Sequence, residues 1–193
     1  MATKAPKSAG NVRKNARGKR PQRRSPTPWL IGAGVLLLIA VPTGINLYNA
    51  SQLPGERFRS LGNAHIGEEA EPRYNSNPPT SGPHLSYTAG WGSYTEPQRD
   101  AELVHNLEDA GIVLWYRAGT PEENQAEVER LEAAYDARRY RRVVIAPREE
   151  LPTRYAMTAW QRLETFDEID PARVDAFMEA YEGIDHHPAG GEG

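Results

Sequence analysis

Cysteine is absent from the 193-residue sequence. Disulfides, zinc–thiolate sites, iron–sulfur clusters and cysteine nucleophiles are therefore excluded. The absence does not identify a compartment, because a domain outside the cytoplasm is permitted disulfides but is not obliged to have them. No metal site in this chain can use a thiolate ligand.

Acidic residues are missing from the first 28 positions, which carry nine lysine and arginine side chains. The rest of the chain holds the other 14 of the 23 basic residues against all 26 acidic ones. An acidic body argues against nucleic acid as a partner of the folded domain, since phosphate binding needs a positive face. The basic tail could bind nucleic acid, but a disordered arm that touches anionic lipid head groups is the simpler interpretation.

Charge is absent again from residues 29–48, WLIGAGVLLLIAVPTGINLY. As a helix with a rise of about 1.5 Å per residue, this segment reaches roughly 30 Å, the thickness of the hydrocarbon core of a bilayer. Trp29 and Tyr48 bracket it as interfacial aromatic residues would, and the one-sided basic cluster places the N-terminus in the cytoplasm. The alternative is a cleaved signal peptide, which Tyr48 near the cleavage position and the long basic region oppose.

The sequence therefore predicts a single-pass protein of the cell membrane, with the lipid bilayer as the partner of residues 29–48 and the C-terminal domain outside the cytoplasm. Five parts follow from the composition: a basic cytoplasmic tail 1–28, a transmembrane helix 29–48, a juxtamembrane linker 49–60, an extracytoplasmic globular domain 61–183 and a flexible tail 184–193. The globular domain begins with Leu61–Arg99, where Gly, Pro, Ser, Asn and aromatic residues without helical periodicity predict ordered loops and short strands.

The second half of the domain is more regular. Gly111–Tyr116 is a continuous apolar run, typical of a buried strand. Thr120–Glu123 forms a capping box with proline at the first helical position, which predicts a helix to about Arg138. Arg142–Ala146 predicts the next strand, stopped by Pro147, and the order strand–helix–strand predicts a crossover between parallel strands.

The C-terminal part of the domain adds one strand and one helix. Tyr155–Trp160 predicts an antiparallel edge strand, and a last helix begins at Pro171 and ends at Gly183. The fold class is α/β or α+β: a small mixed sheet with a strand–helix–strand crossover and a long irregular N-terminal half, behind one transmembrane helix. The predicted core consists of strand residues covered by helix residues, namely Ile112, Val113, Leu114, Val143, Val144 and Ile145 under Val128, Leu131 and Phe177.

Three of the five histidines lie in or next to the irregular half: His65, His84 and His105. His84 ends the run NPPTSGPH, whose prolines stiffen the chain and can hold an imidazole in place at low entropic cost. If a helical turn follows His105, Glu108 and Asp109 lie on the same face at i+3 and i+4. Imidazole and carboxylate ligands suit zinc or copper(II), whereas calcium and magnesium prefer oxygen cages.

Other interpretations of these residues stay open. The histidines could hydrogen-bond loop backbone, with Glu108 fixing a tautomer. A serine hydrolase would use Ser81 with His84 or His105 as base, but the Gly-x-Ser-x-Gly elbow is missing. The aromatic residues of the irregular half could bind a sugar or peptide, or simply staple loops to the core: Tyr74, Tyr87, Trp91 and Tyr94.

The same stretches resemble a prokaryotic domain-of-unknown-function family, number thirty-one-zero-five, whose members commonly follow one N-terminal membrane anchor. The similar pieces are Tyr74–His84 with Asn-Pro-Pro-Thr-Ser-Gly-Pro-His, then Gly92–Tyr94, then Val104–Glu108 with His-x-Leu-Glu. The resemblance spans about residues 60–183, including Ala146-Pro147 and Thr158-Ala159-Trp160. It implies that His65, His84 and His105 belong to one recurrent site.

This sequence departs from the family pattern at one point. Where the family reads His-x-Leu-Glu-His-Gly, this chain has Asp109-Ala110, so a histidine pair at i and i+4 is lost. A carboxylate still ligates zinc, whereas an all-nitrogen copper site becomes less favourable.

The predicted function is binding of a divalent transition metal, zinc or copper, through His65, His84, His105, Glu108 and Asp109, as an accessory to a membrane complex. His186 and His187 are assigned to the tail, with no part in the site. The alternative is a non-enzymatic interaction module whose proline-rich loop contacts a membrane-protein partner. A metal-dependent hydrolase with Glu108 as general base comes third. Convergence of the three imidazoles would separate the first class from the second.

Overall fold

The computed structural model describes residues 53–187, together with Met1 and Leu38. Residues 53–187 belong to one unit, Asn49–Gly193. They form six strands, which are β1 Glu56–Arg57, β2 Gly92–Ser93, β3 Ile112–Arg117, β4 Val143–Arg148, β5 Tyr155–Ala159 and β6 Arg162–Phe166. The helices of this part are α1 Asp100–Glu108, α2 Pro121–Glu132 and α3 Pro171–Tyr181.

The strands form one mixed sheet in the order β1-β6-β5-β3-β4-β2. β3 pairs in parallel with β4, with Ile112 opposite Val143, and α2 connects the two strands. The remaining neighbours of the central pair are β2, which is parallel to β4, and β5, which is antiparallel to β3. The predicted mixed sheet with its strand–helix–strand crossover is therefore confirmed.

Two strand predictions were wrong in detail. β4 continues through Pro147, which lies opposite Tyr116 of β3. The proline is tolerated because β2 pairs only with Val144 and Ile145, so the other edge of β4 needs no N–H donor there. β5 is not an edge strand, because β6 and then β1 lie outside it. β6 was missed because its sequence, RLETF, is mostly polar or charged and only partly buried.

The two predicted helices, α2 and α3, begin where the sequence predicted, but α2 ends earlier than predicted. Thr120 and Glu123 form the reciprocal capping box of α2. Asp170 caps α3 through the Ala172 N–H. α2 ends at Glu132, six residues before the predicted end near Arg138, and a turn follows it.

The core lies on both faces of the sheet, since successive strand residues point in opposite directions. Ile112, Leu114 and Ile145 pack with Phe177 of α3 and with α2. Val113 and Val144 point to the opposite face, where they pack with Leu103, Val104 and Leu107 of α1. All six predicted strand residues are buried. Of these six, only Ile112, Leu114, Val143 and Ile145 lie under α2 and α3. Val113 and Val144 lie on the opposite face, which α1 and the irregular half cover.

Several polar contacts fasten the irregular half to the sheet and to α1. Arg148, at the end of β4, donates to both carboxylate oxygens of Asp100 and to the Asn77 side chain. The buried Asn106 side chain accepts from the N–H of Ala89 and donates to its carbonyl, as a paired strand would. The segment before His84 is thus connected to the start of α1, and the segment after His84 to its end.

The described residues test only part of the predicted domain limits. Within 53–187, no helix has the length and apolar character needed to cross a membrane. The predicted span 29–48 and the basic tail 1–28 lie outside the described residues, apart from Leu38 and Met1. Part of the predicted linker 49–60 belongs to the sheet, because Glu56 and Arg57 pair with β6.

We predict that Leu114→Ala lowers the free energy of unfolding by about 2–5 kcal/mol, because it leaves a cavity between β3 and the helices. Leu114 has no exposed surface. Denaturant unfolding measures the change, and Leu53→Ala, at a side chain that is 42% exposed, is the control. Equal stability of the Leu114→Ala variant and the wild type would contradict the assignment of β3 as a core strand.

Candidate metal centre

Two of the predicted histidines are brought side by side by a bridge between loops. The N–H of His84 donates to the Ala64 carbonyl at 3.0 Å, and the N–H of Ile66 donates to the His84 carbonyl at 2.8 Å. This is a parallel pairing of His65 with His84. The centroids of the two imidazole rings are 5.1 Å apart.

The proline-rich string that carries His84 lies inside the domain. Thr80, Ser81 and His84 are completely buried. Gly82 has a φ of +135°, and a Cβ there would lie 3.2 Å from the Tyr74 ring, so the turn requires glycine. The Gly82 carbonyl accepts a hydrogen bond from Nδ1 of His84 at 2.8 Å. The backbone of the turn therefore orients the imidazole that follows it.

Helix α1 supplies the third imidazole and a carboxylate. His105 and Glu108 are three positions apart on its buried side, as the sequence predicted. Nδ1 of His105 donates to the Leu85 carbonyl at 2.6 Å. The ring of His105 lies 4.9 Å from the His84 ring and 5.4 Å from the His65 ring, measured between centroids. The Glu108 Oε1 atom accepts a hydrogen bond from the Asn63 amide at 2.7 Å.

These hydrogen bonds determine which atoms face the centre of the cluster. A carbonyl can only accept, so Nδ1 carries the proton in His84 and His105, and the neutral ring leaves Nε2 with a free lone pair. Burial is the main cause that lowers the pKa of His84 and favours the neutral ring. The same arrangement, with Nδ1 bound to a backbone carbonyl, orients histidine ligands in metal sites.

One contact in the cluster is unfavourable without a cation. Nε2 of His84 lies 2.9 Å from Oε2 of Glu108, and both side chains are almost completely buried. The approach lacks hydrogen-bond geometry, and within the described residues neither atom has another hydrogen-bond partner. A lone pair thus faces a buried carboxylate oxygen, an arrangement that costs free energy unless a positive charge lies between them.

The spacing of the donors suits a single ion. His65, His84, His105 and Glu108 each offer one ligand atom, and these four atoms lie within 4.8 Å of one another. Ligand atoms about 2.0 Å from a tetrahedral zinc are about 3.3 Å apart, so only small movements are needed. The cluster of histidine and glutamate residues could therefore hold a metal ion.

Residues 65–192 match the family described as "Protein of unknown function (DUF3105)". The match covers more than half of the chain. The protein belongs to this family. No curated protein and no solved structure matches the chain. The family description assigns no activity, so the function of this DUF3105 member has to be inferred from its own site.

Asp109, the fifth predicted ligand, is not part of the four-residue cluster. It groups with His105 and with His187. Its Oδ1 atom is 3.6 Å from Nε2 of His105 and 3.6 Å from Nε2 of His187. In this DUF3105 protein, the position after Glu108 therefore faces a histidine from the C-terminal segment.

His187 is the residue that the sequence interpretation missed, because it was assigned to a flexible tail. The start of that segment is bound to the domain: the N–H of Gly183 donates to the Ala110 carbonyl, and the N–H of His186 donates to the Glu108 carbonyl at 3.0 Å. The His186 ring stacks on Trp160. Asp185 hydrogen-bonds His187 and raises the pKa of its imidazole. The only sequence signal was an aspartate two residues before a histidine.

The serine hydrolase interpretation finds little support in the geometry, and two of the four aromatic residues bind loops. The Ser81 hydroxyl oxygen accepts a hydrogen bond from the Leu61 N–H, while the ring nitrogens of His84 face Gly82 and Glu108. Ser81 is therefore not activated by His84. Tyr74 and Tyr94 bind loop carbonyls and pack on the core, which is the stapling role expected of such aromatic residues.

We predict that Glu108→Gln keeps the metal-free domain at least as stable as the wild type, with a gain of up to about 1 kcal/mol. The glutamine oxygen can still accept from Asn63, and its amide can donate to Nε2 of His84, which replaces the repulsive contact. Thermal unfolding in the presence of a chelator measures the change, with Glu102→Gln on the same helix as the control. A marked loss of stability in Glu108→Gln would show that the carboxylate is needed for the fold itself.

Proposed function

We propose that this DUF3105 protein binds one divalent transition metal ion, zinc or copper(II), through His65, His84, His105 and Glu108. The observation that carries the proposal is the contact between the lone pair of His84 and the buried carboxylate of Glu108, which a cation would turn into two coordinate bonds. Three imidazole nitrogens and one carboxylate oxygen suit these two metals better than calcium or magnesium.

The donor set favours a binding or structural role over catalysis. A catalytic zinc site has three protein ligands and keeps a fourth position open for water, whereas this cluster offers four protein ligands. Glu108 is one of the four, so it is not free to act as the general base that a hydrolase would need. The metal-dependent hydrolase therefore remains the third candidate.

The proposed setting is a membrane-anchored domain outside the cytoplasm that serves as an accessory to a membrane complex. The uncharged residues 29–48 and the basic residues 1–28 support this topology. The non-enzymatic interaction module is the second candidate, because Tyr87 and Trp91, which follow the proline-rich string in the sequence, are each 41% exposed. Such aromatic side chains suit contact with a membrane-protein partner.

We predict that the full-length wild-type protein binds one zinc or copper(II) ion per chain and that His84→Ala and His105→Ala bind none. Wild-type protein should be stabilised by about 2.7 kcal/mol at a free metal concentration 100 times the Kd. Metal analysis and thermal unfolding measure both effects. Binding should weaken as the pH falls, because an imidazole must be unprotonated to ligate. Burial lowers the pKa of His84, so this ring loses its lone pair only below the usual histidine range.

His186→Ala is the matched control, since His186 stacks on Trp160 and belongs to neither group of ligand atoms. It should bind the ion as the wild type does. Wild-type protein that stays metal-free when zinc and copper(II) are supplied would refute the proposed function and leave the interaction module as the leading candidate.

We predict further that the C-terminus lies outside the cytoplasm, so that a reporter that works only there is active when fused after Gly193. The mature protein should also keep its N-terminal tail. The basic cluster retains the N-terminus on the cytoplasmic side while residues 29–48 stay in the bilayer. Reporter activity and intact-mass measurement test the two parts. A mature N-terminus near Ser51 would replace the anchored protein with a secreted one.

A further inference from the structure

Three donors form a second, outer group next to the buried cluster: His105, Asp109 and His187. Nε2 of His187 is 3.6 Å from the Asp109 carboxylate and 3.6 Å from Oε2 of Glu108. The outer group therefore borders directly on a ligand of the inner cluster.

His187 is held in place for ligation. Its Nδ1 atom lies 2.7 Å from Oδ1 of Asp185, and its backbone N–H donates to the same carboxylate at 2.9 Å. A carboxylate on one ring nitrogen leaves the other nitrogen as the ligand atom, which is a common device in metal sites. The contacts of Gly183 and His186 with the end of α1 position the segment that carries it.

The inner and outer groups share one ligand atom. Nδ1 of His105 is engaged by the Leu85 carbonyl, so only Nε2 is available to either group. One lone pair cannot bind two ions, so the two groups describe alternative positions of a single ion.

The two positions differ in their access to solvent. The side chains of His84 and Glu108 are 0% and 1% exposed, whereas those of Asp109 and His187 are 37% and 38% exposed. Asp109 also lines an open depression of about 280 Å³, together with Trp91, Arg142 and Asp185. Arg142 donates to the Asp109 carbonyl rather than to its carboxylate, whose Oδ1 faces His105 and His187. An ion can thus reach Asp109 and His187 of the outer group from solvent, whereas His65 is the one exposed residue of the inner cluster.

We propose that Asp109 and His187, with His105, form a loading position through which the ion reaches and leaves the buried cluster. This inference rests on the proposed metal-binding function. His105 keeps its bond to the ion while Asp109 and His187 are exchanged for His65, His84 and Glu108. The bonds that break are replaced by an equal or larger number that form, so no uncoordinated ion crosses the buried region.

The test is stopped-flow binding of copper(II) to the full-length protein, followed by quenching of tryptophan fluorescence, since Trp160 packs 6.4 Å from the His84 ring. Release is measured by mixing the loaded protein with excess chelator. The variants are His187→Gln and Asp109→Asn, and the matched control is His186→Gln. We expect one ion per chain, with association and release both slowed about tenfold in the two variants and unchanged in the control.

Three results would overturn the loading position. Unchanged rates would mean that the ion passes directly by the exposed His65. Faster release with unchanged association would make His187 a ligand of the inner cluster. Two ions per wild-type chain would mean separate sites. The proposed function fails in a different way: the wild type then binds no ion, or Glu108→Gln binds copper(II) as tightly as the wild type does.

Discussion

The buried carboxylate of Glu108 is the group on which the arrangement of the whole site depends. One of its oxygens is held by Asn63, and the other faces the lone pair of a neutral His84. Burying a carboxylate is costly unless a positive charge lies close to it, and burial opposes protonation of His84. The other imidazole near Oε2, that of His187, is 3.6 Å away and partly exposed. A bound cation would resolve the conflict, because both atoms would then become ligands.

The fold serves this site by fixing elements that have little regular structure of their own. The residues around His65 and His84 are paired by a single bridge, and hydrogen bonds connect them to α1 and β4. The Asn106 side chain makes the hydrogen bonds to the Ala89 backbone that a neighbouring strand would make. Arg148 connects the proline-rich string to the start of α1. Such a shell keeps ligand atoms in place before metal binds, which lowers the cost of ordering them on binding.

The C-terminal segment adds donors that solvent can reach to the edge of the buried cluster. With the inner cluster alone, the ion would be held by four protein donors, three of them on buried residues. Asp109 and His187 add donors that solvent reaches, next to the same His105. His187, from a distant part of the chain, brings an imidazole to within 3.6 Å of Asp109.

The sequence by itself determined the regular half of the domain. Short continuous apolar runs favour buried strands, and a capping box with proline at its first position favours a helix start, so β3, β4 and α2 were predictable. The i, i+3 relation of His105 and Glu108 was also local, since helix geometry alone places them on one side. β6 was not predictable, because its polar residues are ordered by pairing with β5 and β1 rather than by their own pattern.

Only the tertiary structure decided which donors meet. His65, His84 and His187 lie on segments without periodicity, and their positions follow from backbone hydrogen bonds to residues far away in the sequence. Local spacing therefore placed Asp109 with the four-residue cluster, whereas the fold turns it toward His187. Sequence identifies the residue types that can bind a metal, but the distances between them depend on how the irregular half packs on α1, which no local pattern encodes.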